Sequence, residues 1–329
     1  MPVLAGIVAP ETAGDPLSAR TWVRSSLRTL SGRLHAAGHG VSPPTVGRLL
    51  KDLGFALHVN AKQVEARAGH PDRGAQVAYI AAQRRGFAEA GRPILSVDTK
   101  KKELIGDFKN AGRAWSREAA VVNVHDFLSD ARGRAVPYGV YDLTHNRGTV
   151  YVGSSGDTAA FAVDAIAGWW DTAGRAAFPQ ADHLLLLADA GGSNGCLLRL
   201  CKHRLQEQVC DRRGLTVTVC HYPTGCSKWN PIEHRLFGPV SLNWAGIPLR
   251  TWEGLLALIR GTTTATGLDV HAERLEGLYL TGRRVPDAEM DALNLTAHAV
   301  CPAWNHTIRP RPDPARAPPT PTPNREVIP

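Results

Sequence analysis

Two short apolar runs, at residues 94–97 and 184–188, each stop on an aspartate, and this pairing constrains the fold more than any other feature of the chain. A largely apolar run of this length suits a strand buried on both faces of a sheet. Residues 93–97 therefore predict a strand ending at Asp98, and residues 183–188 predict a central strand ending at Asp189. Residues 138–143 and 149–152 flank Thr144-His145-Asn146-Arg147-Gly148 as a hairpin, and residues 216–221 add a further strand. Helical spacing over 157–170 places Phe161, Ile166 and Trp169 on one apolar side. Gly191 and Gly192 form a turn, Ser193 is a cap for a helix over about 194–213, and Pro231 opens a helix carrying Glu233. Hairpin-linked strands followed by crossover units predict an α/β domain over 93–300, with a mixed five-stranded sheet and helices on its faces.

Charge divides the chain. Residues 1–92 carry 12 Lys/Arg against 6 Asp/Glu, whereas residues 93–300 carry 22 of each. The excess positive charge thus sits mainly in the N-terminal part, where it would attract a polyanion such as nucleic acid. Residues 20–92 read as helical. Leu27, Leu30 and Leu34 recur at helical spacing, the turn Ala37-Gly38-His39-Gly40 follows, and Ser42 can cap a second helix that tolerates Pro43 and Pro44 in its first turn. That second helix buries Val46, Leu49 and Leu50 and turns Thr45, Arg48 and Lys51 outward; residues 55–59 would add a strand as a wing. This is a winged helix-turn-helix pattern, although a purely structural helical hairpin has the same signature. Residues 1–19 read as a flexible leading segment, and residues 301–329, rich in proline, as a disordered tail.

Several classes are excluded early. No stretch approaches the roughly 18 apolar residues of a membrane helix, and Met1 to Pro10 lacks the basic flank of a secretion signal. A cytoplasmic location follows. The six cysteines contain no C-x-x-C pair, so a disulfide framework is disfavoured; Cys220, His221 and Cys226 match no common zinc spacing, which leaves buried thiols.

Two strand-end aspartates can converge beyond the edge of a sheet. Oxygen ligands of this kind suit hard divalent cations, and a metal pair roughly 4 Å apart can activate a nucleophile and stabilise a leaving oxygen of a phosphodiester. Glu233 is the third candidate. Ile232 and Leu236 (with Trp229 as a further candidate) would face the core, and Glu233 lies one step round, at the rim. Taken alone it is equally a first-turn carboxylate favoured by the helix dipole. Around these three, Ser193 and Asn194 offer hydrogen bonds to phosphate, and Lys100, Lys101, Lys102 and Lys228 offer charge, although a lysine run is also the ordinary mark of a solvated face.

These residues stand within longer recognisable motifs: Val97-Asp98-Thr99-Lys100-Lys101-Lys102-Glu103, Val122-Asn123-Val124-His125-Asp126-Phe127, Pro137-Tyr138-Gly139-Val140-Tyr141-Asp142, Ala188-Asp189-Ala190-Gly191-Gly192-Ser193-Asn194-Gly195, Val219-Cys220-His221-Tyr222-Pro223, Ser227 to Phe237, and Pro302-Ala303-Trp304-Asn305. The chain resembles DDE transposases of bacterial insertion sequences, specifically the ISAzo13-like family. The resemblance implies an RNase H-like fold with a catalytic, metal-binding triad of Asp98, Asp189 and Glu233. It also implies two Mg²⁺ ions (or Mn²⁺), cleavage at the element's inverted-repeat ends, strand transfer into target DNA by a 3′-hydroxyl, and assembly as a homo-oligomer on nucleoid DNA. Family members extend further at the N-terminus, so the resemblance further implies an N-terminally truncated copy or a misplaced start. Two alternatives stay open: an inactive remnant that only binds DNA, and a plain RNase H-like nuclease. An aspartyl-phosphate enzyme ranks behind both, because Lys100 stands where a second aspartate is expected.

Overall fold

The protein is described from a computed structural model, which covers residues 2–14, 21–23, 25–56, 70–114, 116–226 and 229–312. The chain divides into two compact units, Met1–Ala66 and Arg67–Pro329.

The first unit holds α1 (Pro2–Val8), an antiparallel ribbon of β1 (Thr12–Gly14) and β2 (Thr21–Val23), α2 (Leu27–Ala36) and α3 (Pro43–Asp52). Ser26 and Ser42 cap α2 and α3 by accepting hydrogen bonds from the Thr29 and Thr45 amides, and Pro43 and Pro44 occupy the tolerant first turn of α3. Leu4 and Val8 of α1 pack against Leu30, Leu34 and Val46 to form a small core. The expectation of a flexible segment over 1–19 is thus corrected for α1, whose apolar side is buried. Leu27, expected inside, is partly exposed, while Leu49 and Leu50 are half-buried. Of the proposed wing, residues 57–59 lie outside the described residues, and Phe55 and Ala56 are not in a strand.

The second unit begins with α4 (Arg73–Glu89), which moves the expected boundary near residue 92. Ile80 and Phe87 of α4 pack on the apolar sheet residues Ile94, Leu185, Leu187 and Cys220, so the helix belongs to the sheet. The strands are β3 (Ile94–Thr99), β4 (Glu103–Ile105), β5 (Gly133–Asp142), β6 (Arg147–Gly153), β7 (His183–Asp189), β8 (Thr216–Tyr222), β9 (Asp269–Arg274), β10 (Leu295–Ala297) and β11 (Asn305–Ile308). The sheet runs β10-β11-β8-β7-β3-β5-β6-β9, with β4 added to β5. The five expected strands form its centre, in the order β6-β5-β3-β7-β8, but the sheet has nine. β3, β7 and β8 are mutually parallel, and β5 is antiparallel to both β3 and β6.

Helices cover both faces. On one, α5 (Ala159–Trp169), capped by Thr158, lays Phe161, Ile166 and Trp169 against Leu95, Val97, Leu184 and Leu186. A π-helical stretch, Trp170–Gly174, carries that helix into α6 (Arg175–Ala177). The same core takes in Leu205 and Val209 of a second π-helical stretch, Leu205–Asp211, which continues α7 (Arg199–Arg204). The helix expected over 194–213 thus starts five residues later, because Gly192–Asn194 forms a 3₁₀ turn with Gly192 at φ 67° and Ser193 caps nothing. On the opposite face lie α4, a π-helical stretch at Glu233–Phe237 leading into α8 (Gly238–Asn243), and α9 (Trp252–Arg260). A short α10 (Asp287–Asp291) precedes β10.

β11 corrects the expected tail. Asn305–Ile308 is buried and pairs with both β8 and β10, so a disordered segment does not begin at 301; residues 313–329 lie outside the described residues. Among the described residues, no helix is long and apolar enough to cross a membrane.

Candidate active site

Strand alternation decides which side chains meet. In β3, Leu95 and Val97 point into the α5 core, so Ser96 and Asp98 point to the other face. In β7, Leu184, Leu186 and Ala188 share the α5 core, so Leu185, Leu187 and Asp189 point with Asp98. The parallel register pairs Val97 with Ala188, which makes Asp98 and Asp189 the next neighbours along the two strands. Glu233 arrives on the same face from the helix above.

Two glycines let that helix approach. Gly139, opposite Asp98 in β5, would put a Cβ 2.7 Å from both Ile232 and Phe237, and Gly148 in β6 would put one 2.4 Å from Leu236. Neither position has room for a side chain while the helix rests there. Ile232 and Leu236 are fully buried as expected, but Trp229 is 54% exposed and takes no part in the core.

A buried polar bridge fixes the same approach from the strand side. The Ile232 amide donates to Ser96 Oγ (3.0 Å), and the Ser96 hydroxyl donates to Asn230 Oδ1. Asn230 Nδ2 donates to Asp189 Oδ1 (3.2 Å) and to the Val97 carbonyl (3.5 Å). Ser96 and Asn230 are completely buried, and neither was singled out from the sequence. Their signal was an unpartnered polar residue in an otherwise apolar strand and an asparagine ahead of a helix-opening proline.

The three carboxylates sense one another. Burial pushes the Asp98 carboxyl up to about 8; the Asp189 charge adds to this, the Thr99 amide opposes it, and Glu233 raises it further through charge and a side-chain hydrogen bond. Burial also raises Asp189, the Asn230 amide pulls it back, and the Glu233 charge adds to the rise. No three His, Cys, Asp or Glu side chains among the described residues stand in ready-made ion-holding geometry. Without a cation, a proton held between Asp98 and Glu233 relieves part of the repulsion between these like charges. The donors fit a hard divalent cation in chemistry, since all are carboxylate oxygens.

The surroundings correct several expected DNA contacts. Lys100 is buried, pairs with Glu103 (3.3 Å) and lies 4.4 Å over the Trp244 ring. Burial lowers its pKa, which the Glu103 and Glu233 charges oppose. Its charge is thus already engaged within the fold. Lys102 pairs with Asp157 (3.3 Å), and Lys101 stays exposed. Ser193 and Asn194 both turn inward: Ser193 Oγ meets Thr99 Oγ1 (3.1 Å), and Asn194 Oδ1 accepts from Tyr138 (2.7 Å). Thr99 Oγ1 also donates to Asp157 Oδ1 (3.0 Å), a fourth carboxylate that the sequence did not flag. Lys228 lies outside the described residues. In the first unit, Arg48 and Lys51 are exposed on α3, and Arg48 donates to Thr45 Oγ1 (3.2 Å).

All six cysteines are free, Cys196, Cys210, Cys220 and Cys226 being buried. His221 is held by the Trp304 and Asn194 carbonyls, which leaves no zinc role for this group.

The model of the family described as "Rhodopirellula transposase DDE domain" matches residues 3–310. No curated protein matches the chain. Among solved structures, the "Mos1 transposase paired-end complex with left transposon end" is similar at 12% identity and a TM-score of 0.43, covering 70% of this chain and 64% of that one. The "Mos1 mariner paired end complex with Mn" and its counterpart with Mg are each similar at 13% identity and a TM-score of 0.42, with the same coverage. The chain thus spans less than two thirds of the length of these structures.

Proposed function

We propose that this chain, which belongs to the Rhodopirellula transposase DDE domain family, is a DNA transposase that cuts phosphodiesters at the ends of an insertion sequence and joins them to target DNA. The observation that carries this reading is the convergence of Asp98, Asp189 and Glu233 on one face at the carboxyl ends of two parallel strands. The central strand order β6-β5-β3-β7-β8 supports an RNase H-like core.

In this mechanism the three carboxylates would hold divalent cations, two Mg²⁺ ions or Mn²⁺ in their place. Such ions lower the pKa of an attacking water or 3′-hydroxyl and neutralise charge on the leaving oxygen. The chain supplies placement. β3 and β7 hold Asp98 and Asp189 side by side, and the helix seated over Gly139 and Gly148 lowers Glu233 toward them. The Thr99 amide donates to Asp98 Oδ1 (2.7 Å) and fixes one of its oxygens. Lys100, held between Glu103 and Trp244, contributes a fixed positive charge beside Glu233.

DNA recognition falls to α3, whose Thr45, Arg48 and Lys51 would meet the duplex in helix-turn-helix fashion. The inverted-repeat ends and the target are the DNA partners, the assembly on them is a homo-oligomer, and the place of action is the bacterial cytoplasm at the nucleoid.

A cleavage and joining assay on labelled element ends with Mg²⁺, comparing wild type with Asp189→Asn, tests this. The expected result is joined product from wild type and a loss of about a thousandfold or more in the variant, the scale seen when a group acting in the transition state is removed. Nicking without joining by wild type would favour a plain nuclease, and binding without cutting would favour an inactive remnant.

A further inference from the structure

Asn230 stands at an unusual junction. It is fully buried, immediately precedes the helix-opening Pro231, and bonds two of the three acidic residues by different routes, one through its carboxylate and one through its backbone amide. Its side chain donates to Asp189 Oδ1 (3.2 Å), and its backbone carbonyl accepts from the Glu233 amide (3.1 Å). Its orientation follows from its neighbours. The Ile232 amide can only donate, so Ser96 Oγ accepts there, and the Ser96 proton is left to point at Asn230 Oδ1. With the oxygen so engaged, the Asn230 amino group must face Val97 O and Asp189. Each bond thus dictates the next, from the interior of β3 to an oxygen of the site.

We infer that Ser96 and Asn230 are positioning residues for cation binding: together they orient Asp189 and set the height of Glu233 above the sheet. The inference rests on the reading of Asp98, Asp189 and Glu233 as the cation-holding triad. A bland role is the alternative, since a buried asparagine could merely close the start of a helix. The two differ in consequence. A helix closure affects folding alone, whereas a group oriented toward a ligand carboxylate changes cation affinity, typically by about 10- to 100-fold when removed.

The test uses the full chain without DNA and Mn²⁺ alone as the probe, with free Mn²⁺ read by electron paramagnetic resonance and melting temperature read in EDTA. Wild type is compared with Asn230→Ala, Ser96→Ala, the double variant and Asp189→Asn. The expected result is a loss of Mn²⁺ affinity of about 10- to 100-fold in each single positioning variant, and a double variant no weaker than the worse single, because the two act as one chain of bonds. Unchanged Mn²⁺ affinity in Asn230→Ala and Ser96→Ala, beside a clear loss in Asp189→Asn, overturns the inference and leaves the triad standing. Unchanged affinity in Asp189→Asn overturns the triad as the cation site, and the inference with it. Should Asn230→Ala fail to fold, Ser96→Ala decides, since it removes the strand end of the same bridge.

Discussion

Two polar clusters lie under helices on the same face of the sheet, and they are built to opposite ends. Beneath α4, Gln76 Nε2 donates to the His221 carbonyl and to Asn305 Oδ1 (both 2.8 Å), and Asn305 Nδ2 returns a bond to Gln76 Oε1 (2.6 Å). Every group there is neutral and matched. Beneath the Glu233 helix, matched bonds between Ser96 and Asn230 lead to carboxylates that repel one another. The first cluster fastens α4 and β11 to β8. The second crowds carboxylates whose mutual repulsion is relieved either by a proton on Asp98 or by a cation, and that strain separates a site from a fastener.

Exchanging the two behaviours by mutation tests the contrast. Asp98→Asn should abolish DNA cleavage, by about a thousandfold or more, while raising the melting temperature in EDTA by removing one of the repelling charges. A melting temperature that falls instead would mean that the carboxylates are already balanced. Gln76→Ala should do the reverse. It removes the Gln76 donor from Asn305 Oδ1 and the His221 carbonyl, with a cost of about 1–3 kcal/mol in chemical denaturation, and cleavage well below the melting point should persist.

Gly139→Val probes the boundary of the charged cluster. Its side chain would enter the space held by Ile232 and Phe237, so we expect about 1–3 kcal/mol of destabilisation from overpacking together with reduced cleavage. Stability lost with cleavage intact would show that the height of the helix does not govern the site.

The smallest effect is in pH. Asp98 ionises near 3.8 when unfolded but near 8 in the fold, so the folded protein binds the extra proton between those values. Its contribution to stability is full below 3.8 and is lost as pH rises toward 8. Buried His221 and His306, held below the usual histidine range, act in the opposite sense at acid pH. The informative quantity is therefore the difference between wild type and Asp98→Asn in EDTA, which should widen in the variant's favour from pH 4 to pH 8. Saturating Mn²⁺ should reverse the sign of that difference at the upper end, because cations bind the deprotonated form.

The strands that carry two of the candidate site residues could be read before the fold was known, for a simple reason. Apolar runs ending at Asp98 and Asp189 mark strand ends, and a strand end has few places to go. The misreadings share a cause as well: burial of polar residues leaves little trace in a sequence. Lys100 looked solvated because lysine usually is, yet Trp244 and Glu103, each remote or unremarked, enclose it. Ser193 and Asn194 looked like phosphate donors until Thr99 and Tyr138 claimed them. α4 was grouped with the N-terminal helices because its arginines continued their charge excess, while the few apolar residues that tie it to the sheet, Ile80 and Phe87, are sparse along it. β11 was hidden by the prolines around it, since a four-residue strand offers too short a pattern to see.

That last strand has a consequence for how the protein comes into being. β8 is flanked on its outer side by β11, whose residues, Asn305–Ile308, are among the last described in the chain. A polypeptide made from its N-terminus therefore exposes the hydrogen-bonding edge of β8 while some eighty further residues are still being added. Completion of the sheet thus waits on the synthesis of β11, and a ribosome stalled before residue 305 would leave a sheet with an unguarded edge, open to pairing with another chain.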